Sequence, residues 1–229
     1  MSNSSTVTRP AEPAPGVPAD GPAAAGPGGD EAWPASWDAA ATLIAARQNI
    51  SARRLLEPGP GGAQLQALLA LAAAAPDHGE LTPWRFVIVP ASQRHRLAEM
   101  FAQALTERDP GATADQLAAA REKAYRAPLL MLAVARLVSA LEPGIPNVER
   151  LVSLGCALQN LLLGALAMGY GSGLTSGQAM NSSPMRELFS LSAEESAVCF
   201  VNIGTVARRK PCRLRPAVES FVSTLRAPT

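Results

Sequence analysis

The segment from Asn147 to about Met168 constrains the fold more than any other part of the sequence. Its spacing predicts one long helix that is apolar nearly all round, and such a helix must be enclosed by other protein. Its most apolar part, residues 158–168, contains Gln159 and Asn160 and is too short to span a bilayer. We therefore expect this helix to form either the centre of the domain or a seam between subunits.

The composition excludes several classes of partner. Apolar residues make up 48% of the chain and aromatic residues only 4%, so the core should consist of closely packed, alanine-rich helices. A formal net charge of +1 leaves no basic excess to attract nucleic acid or a membrane surface. Three scattered cysteines suit reduced thiols and fit neither a disulfide framework nor a metal cluster. The chain starts without an apolar signal segment, and we expect a cytoplasmic protein.

The chain divides into two regions of different composition. Residues 1–32 are rich in proline, alanine, glycine and serine and should form a disordered tail, because they cannot bury enough apolar area to offset their ordering entropy. Residues 33–229 are expected to form one domain. Periodicity predicts a helix that runs through Asp38 to Arg47, with Trp37, Ala41 and Ile44 on one face. Further helices are expected before Pro76, over Leu97 to Leu105, and after a capping box formed by Thr113 and Gln116. Strands are predicted at Trp84–Val89, Leu129–Ala135 and Ala197–Ile203.

A short loop between two prolines is the sharpest local motif. Pro76 should end a helix and Pro83 introduces the buried strand at Trp84, so the loop carrying Asp77 and His78 is stiff at both ends. Stiff loops of this kind often hold binding sites. Taken alone, the loop is equally consistent with a surface turn.

Two cationic segments are candidate anion sites. Arg47-Gln48-Asn49 stands at a helix end where backbone groups become available, although a solvated helix end is the favoured interpretation from local sequence. A second cluster follows the last strand and predicts either a phosphate site or a solvated tail; it contains Arg208, Arg209, Lys210, Arg213 and Arg215.

Alternating glycines occupy residues 169–177, and Thr175 and Ser176 add hydroxyl groups there. Such glycines let the backbone pass close to a flat or bulky group. The spacing is neither that of a dinucleotide-binding fingerprint nor that of a hydrolase nucleophile elbow. This segment is therefore a candidate contact for a flat ligand.

Taken in order, these motifs resemble the nitroreductase family of FMN-dependent oxidoreductases, and in particular its small bacterial branch. The resemblance covers roughly residues 38–215. It is carried by Arg47-Gln48-Asn49, by Ala75-Pro76-Asp77-His78 before Thr82-Pro83-Trp84-Arg85-Phe86, by Gln159-Asn160-Leu161 with Gly169-Tyr170-Gly171, and by Ile203-Gly204-Thr205 before the basic tail.

The resemblance implies an α+β fold in three layers, with a mixed, mainly antiparallel sheet between helices. It also implies an intertwined homodimer with two FMN sites at the seam. The implied FMN contacts are Arg47, Gln48, Asn49, Ala74, His78, Leu174, Thr175, Ser176, Arg209 and Arg213. No metal and no catalytic acid or base is implied, because the flavin itself performs the redox chemistry.

Two segments depart from the family pattern: Arg47-Gln48-Asn49 stands for Arg-Arg-Ser, and Leu174-Thr175-Ser176 replaces Trp-Arg-Ser. The expected function is an FMN-dependent oxidoreductase that uses NAD(P)H to reduce nitroaromatic, quinone-like or related conjugated acceptors. The alternative is a non-catalytic protein that sequesters or delivers FMN, since these substitutions could remove a productive nicotinamide pocket. A structural homodimer without a cofactor is a third possibility, against which His78 and the basic residues at both ends argue.

Overall fold

The computed structural model describes residues 33–138, 144–208, 211 and 214–226. The expected tail at residues 1–32 lies outside the described residues, as do two of the candidate phosphate ligands, Arg209 and Arg213. The helices are α1 (Ala35–Ala46), α2 (Gly62–Ala73), α3 (Arg94–Arg108), α4 (Ala114–Glu122), α5 (Asn147–Ala167) and α6 (Ser183–Leu188). The strands are β1 (Leu55–Leu56), β2 (Trp84–Ile88), β3 (Leu129–Arg136), β4 (Gly171–Thr175) and β5 (Glu195–Val206).

A five-stranded sheet forms the middle layer, in the order β1-β5-β3-β2, with β4 also paired to β5. Each of these pairings is antiparallel. A parallel bridge between Asn49 and Ser172 extends the sheet beyond β4. The sheet is thus mixed and mainly antiparallel, as predicted.

Helices cover both faces of this sheet. Alternate residues of β3 point to opposite sides, so Met131 and Ala133 pack against α2 and α5 while Leu130 and Leu132 pack against α3 and α6. Two separate apolar cores result, one on each face. The predicted three-layer α+β architecture is confirmed.

Helix α5 begins at Asn147 as predicted, and Gly169 follows it with a left-handed φ of 85°. By length and composition α5 could cross a membrane, but 56% of its most apolar window is buried inside the protein, which fits a core helix. Its other face exposes Val148 and Val152 to solvent in the single chain. Both predicted roles, central helix and subunit seam, therefore remain open to it.

The structure differs from the local predictions at one helix and adds two strands to them. Helix α1 starts earlier than expected, at Ala35, and none of its residues is fully buried, although it contacts α5. Strand β4 lies in the glycine-rich segment, where residue preferences disfavour a strand. It forms because β5 presents unpaired backbone groups at its edge, and the short strand β1 pairs with β5 for the same reason.

A partly buried ion pair ties β2 to β5. The carboxylate of Glu195 accepts hydrogen bonds from Nε and Nη2 of Arg85, at 2.6 and 2.9 Å, and from the backbone N–H of Ser192 at 3.1 Å. The hydrogen bonds from Arg85 lower the pKa of Glu195 to about 2, against the opposing effect of burial. The folded state therefore binds this proton more weakly than the unfolded chain does.

The pKa of Glu195 predicts a stability loss in acid. The contribution should be complete above pH 4.5, the ordinary value, and should disappear as the pH falls from there towards 2. We expect this contribution to the free energy of unfolding to be about 2 kcal/mol. It is smaller than the full pKa shift would give, because solvent at the partly exposed Arg85 side chain screens the ion pair. Urea unfolding at pH 6 and pH 3 measures it, and Glu195→Gln should reduce the difference between the two pH values. An identical difference in both proteins would contradict this assignment.

Candidate functional site

The segment after α1 is fastened to the edge of β4. Ile50 N–H donates to the carbonyl of Ser172, and Leu174 N–H donates to Oδ1 of Asn49, both at 2.8 Å. The approach is close, because a Cβ added to Gly173 would lie 2.1 Å from the Ile50 carbonyl oxygen. The fold thus brings Arg47-Gln48-Asn49 and Leu174-Thr175-Ser176 together, although they are far apart in sequence.

Two arginines meet at the start of this segment. Nη2 of Arg215 donates to the carbonyl oxygens of Arg47, at 3.0 Å, and Ala45, at 3.4 Å. Burial lowers the pKa of Arg47, and the positive charge of Arg215 lowers it further. Among the residues that the structure describes, neither arginine forms an ion pair with a carboxylate. Adjacent guanidinium groups in this state favour an anionic ligand between them.

Arg215 is therefore a site candidate that the residue-level predictions missed. It belongs to the basic cluster after β5, but nothing in the sequence shows which member of that cluster folds back onto α1.

Gln48 lies beside Arg47, and both line a shallow depression against Tyr170 with a volume of about 20 Å³. That space is enough for roughly one water molecule.

The residues after the glycines have distinct roles. The Leu174 side chain packs against the core between the sheet and α5, so its backbone is what faces the Arg47 segment. Asn202, only 2% exposed, donates through Nδ2 to Oγ1 of Thr175 at 3.0 Å and to the Gly173 carbonyl at 3.1 Å. Ser176 Oγ donates to the Val198 carbonyl at 3.0 Å. The Thr175 hydroxyl accepts from Asn202 and so keeps its own O–H for a ligand.

A cavity of about 370 Å³ opens next to these residues, between the sheet and the α3–α4 pair. Its inner wall is apolar and includes Phe101, Leu130 and Phe200. Its polar lining consists of Thr175, Ser176, Gln178, Asn202, Gln116, Asp109, Arg108, Lys123 and Arg126. A cavity of this size with an apolar wall and a few polar groups suits a small planar molecule.

The proline-bounded loop lies elsewhere in the single chain. Asp77 accepts the Thr82 N–H at 2.5 Å, and Nδ1 of His78 lies 2.7 Å from Oε2 of Glu149 in the first turn of α5. The depression beside Arg47 is lined by Leu166, near the other end of α5. Nearly the whole helix separates the two places, which corresponds to roughly 25 Å.

The candidate residues therefore form two groups in one chain. Arg47, Gln48, Asn49, Leu174, Thr175 and Ser176 are brought together, while His78 stands at the far end of α5. Ala74 ends α2, whose last turn contacts Asn160 near the middle of α5. His78 is well exposed, with 68% of its side chain accessible. A single chain cannot place both groups around one small ligand.

The three-layer α+β fold, with two arginines beside the glycine-rich edge of its sheet, belongs to a class suited to a planar, anionic small molecule. Comparison with known proteins agrees with this class. The model of the Nitroreductase family matches residues 35–205, about three quarters of the chain. The chain therefore belongs to the nitroreductase family of oxidoreductases, which confirms the family predicted from its motifs.

Individual relatives support the same assignment. A protein of Haemophilus influenzae named "Putative NAD(P)H nitroreductase" is 31% identical over 177 residues, which are 76% of this chain and 94% of the relative. The crystal structure of a nitroreductase-like family protein from Bacillus cereus aligns with a TM-score of 0.71 at 19% identity, covering 81% of this chain and 95% of that one. A mutant of the FMN- and NADPH-dependent nitroreductase NfnB, from "sphigopyxis sp. strain HMH", aligns with a TM-score of 0.61 at 17% identity and covers 80% and 96% of the two chains. Both structures share the fold.

Proposed function

We propose that the protein is a homodimeric, cytoplasmic enzyme that binds FMN and uses NAD(P)H to reduce nitroaromatic, quinone-like or related conjugated acceptors. The observation that carries the proposal is the pair Arg47 and Arg215 next to the glycine-rich edge of the sheet, neither of which has a carboxylate partner among the described residues. The FMN and NADPH dependence of NfnB and the name of the Haemophilus influenzae relative support it.

The chain's residues fit both ends of FMN. Arg47 and Arg215 would hold the phosphate, because two adjacent guanidinium groups offer charge-assisted hydrogen bonds to its oxygens. The glycine-rich strand β4 would face the flat ring, because its backbone allows close approach and the Thr175 hydroxyl stands at its end. The cavity beside Thr175 and Ser176 would stay open for the acceptor next to that ring.

A second copy of the chain would complete the site. His78 belongs to the proposed FMN contacts but lies too far from Arg47 in one chain, so it would serve the FMN held by the partner. Ala74, which precedes the same loop, is proposed to contact that FMN as well. The exposed apolar surface supports such an assembly: α1 has no buried residue, and the face of α5 with Val148 and Val152 is uncovered. The tail at 214–226 also exposes Leu214, Phe221 and Leu225. Association would remove this apolar area from water.

FMN and the residues of the proposed site would have different roles. FMN, when bound, would supply the redox chemistry that links the nicotinamide to the acceptor. Arg47 and Arg215 would bind the phosphate, the Asn49–Leu174 contact would fix the spacing between phosphate and ring sites, and Asn202 would orient the Thr175 hydroxyl. No side chain is assigned as a catalytic acid or base.

An absorbance spectrum tests the proposal. Purified protein should be yellow, contain one FMN per chain, and lose its colour anaerobically when NADPH or NADH is added. Stoichiometric FMN without any bleaching would instead favour the FMN-sequestering alternative. A colourless protein that does not respond to added FMN would overturn both.

Replacing Arg47 by alanine should weaken FMN binding by about 10-fold or more, because a charge-assisted contact to the phosphate is lost. Fluorescence titration of FMN measures the dissociation constant. Arg53→Ala is the matched control, since Arg53 is a nearby cation that is mostly exposed and lies 3.6 Å from Glu122. Equal FMN affinity in the Arg47 variant and the wild type would place Arg47 outside the site.

A further inference from the structure

We propose that the cavity between the sheet and the α3–α4 pair selects acceptors that carry a carboxylate, with Arg108 and Lys123 as the residues that determine this specificity. That the carboxylated molecule serves as an acceptor rests on the proposed function. Its binding to the cavity can be measured whether or not the protein turns it over.

The first argument is that most cations on this face of the protein already have partners. Arg121 pairs with Glu99 at 2.9 Å, and both Arg126 and Arg53 contact Glu122. Arg94 donates to backbone carbonyls. Because these cations already have partners, they attract an anionic ligand more weakly than free cations would.

Arg108 and Lys123 are different. Both line the cavity, yet within the described part of the chain neither side chain has a carboxylate within ion-pair distance. Asp109, the carboxylate in the lining, accepts the Gly111 N–H at 3.1 Å and closes the turn after α3. The cavity consequently carries an excess of positive charge.

The second argument is the arrangement of polar and apolar groups. Arg108 ends α3 and Lys123 directly follows α4, so each helix places at the same cavity one cation that has no carboxylate partner in the described ranges. The aromatic rings of Phe101 and Phe200 lie on its apolar wall, 5.7 Å apart between centroids. A flat conjugated body against the wall with an anionic substituent towards the cations satisfies both surfaces.

The same cations would also attract a phosphate, so the experiment must distinguish binding of a carboxylated acceptor from binding of a phosphorylated nucleotide. A carboxylated acceptor and the additional phosphate of NADPH present similar charges to Arg108 and Lys123. Our proposal commits to the acceptor, because the apolar wall and the two cations line the same cavity.

The test compares 4-nitrobenzoate with 4-nitrobenzamide, which differ in charge and little in shape. Dissociation constants are measured by isothermal titration calorimetry on purified full-length protein, for wild type, Arg108→Gln and Lys123→Gln. Arg96→Gln is the control, because Arg96 is an exposed cation on the same helix that contacts Gln93 and does not line the cavity. NADPH and NADH are titrated in parallel.

We expect each cavity variant to weaken 4-nitrobenzoate binding by about 3- to 10-fold while 4-nitrobenzamide changes by less than about 2-fold, as for removal of a partly solvated charge contact. Arg96→Gln should change neither. Equal effects on both compounds, no effect on either, or weakening confined to NADPH would overturn the proposal. Bleaching by NAD(P)H is scored separately, so an absence of turnover with selective 4-nitrobenzoate binding would refute the oxidoreductase proposal and not this one.

Discussion

Replacing Arg94 by leucine should lower the free energy of unfolding by about 3–5 kcal/mol, because a buried network loses its donor. Arg94 is only 6% exposed, and burial lowers its pKa. Its guanidinium donates to the carbonyl oxygens of Val89 (3.0 Å), Ala124 (2.8 Å), Arg126 (3.3 Å), Ala127 (3.3 Å) and Pro128 (3.0 Å). Leucine fills part of the volume but leaves these oxygens without that donor in a space that water cannot easily enter.

Urea unfolding at a fixed protein concentration measures the Arg94 effect, since association would make apparent stability depend on concentration. Arg94→Lys should be intermediate, because an ammonium keeps the charge but cannot reach five acceptors in one plane. Arg96→Leu, two residues along the same helix on its exposed side, should change stability by less than about 0.5 kcal/mol. Wild-type stability in Arg94→Leu would show that the carbonyl oxygens find other partners.

The second large effect concerns Gly173, where alanine should both destabilise the fold and weaken FMN binding. The added Cβ would lie 2.1 Å from the Ile50 carbonyl oxygen and 3.2 Å from Oδ1 of Asn49. Because the first obstacle is backbone, the segment carrying Arg47 and Asn49 must move away from β4. We expect a cost of about 2–3 kcal/mol from this overpacking and a loss of about 10-fold or more in FMN affinity as the phosphate contacts shift.

FMN titration and urea unfolding of Gly173→Ala separate the two consequences. The matched control is Gly62→Ala at the start of α2, where an added Cβ meets no atom within 4 Å. This variant should keep full FMN affinity and wild-type stability. Unchanged FMN affinity in a folded Gly173→Ala protein would mean that the contact between Ile50 and β4 does not position the binding segment.

Local sequence signals were sufficient wherever a few neighbouring residues decide the structure. Thr113 and Gln116 form the predicted capping box of α4, with reciprocal hydrogen bonds of 3.3 and 2.8 Å. The three buried strands were predicted to within a few residues of their ends, although β5 extends further to Val206. Such signals depend on contacts within one turn or on simple periodicity, so they can be read without the fold.

The residues of the candidate site also fall into two groups, those that sequence patterns identify and those that only the fold identifies. Arg47 and Ser176 were identifiable because their order along the chain matches a family pattern, and Asn49 and Thr175 because they stand in the same two segments. Asn202 and Lys123 gave no comparable signal, since a buried asparagine in a strand and a lysine at a helix end are common in any fold. Their significance depends on which residues face them across the cavity and the sheet.

By itself, the sequence determined the family, the three-layer α+β class and the long helix α5, because hydrophobic periodicity and ordered motifs are properties of the chain alone. Only the tertiary structure decided that Arg215 reaches Arg47, that glycines form strand β4, and that His78 lies a helix length away from both. These are long-range contacts between distant segments, and their free energy depends on what burial and pairing bring together in space.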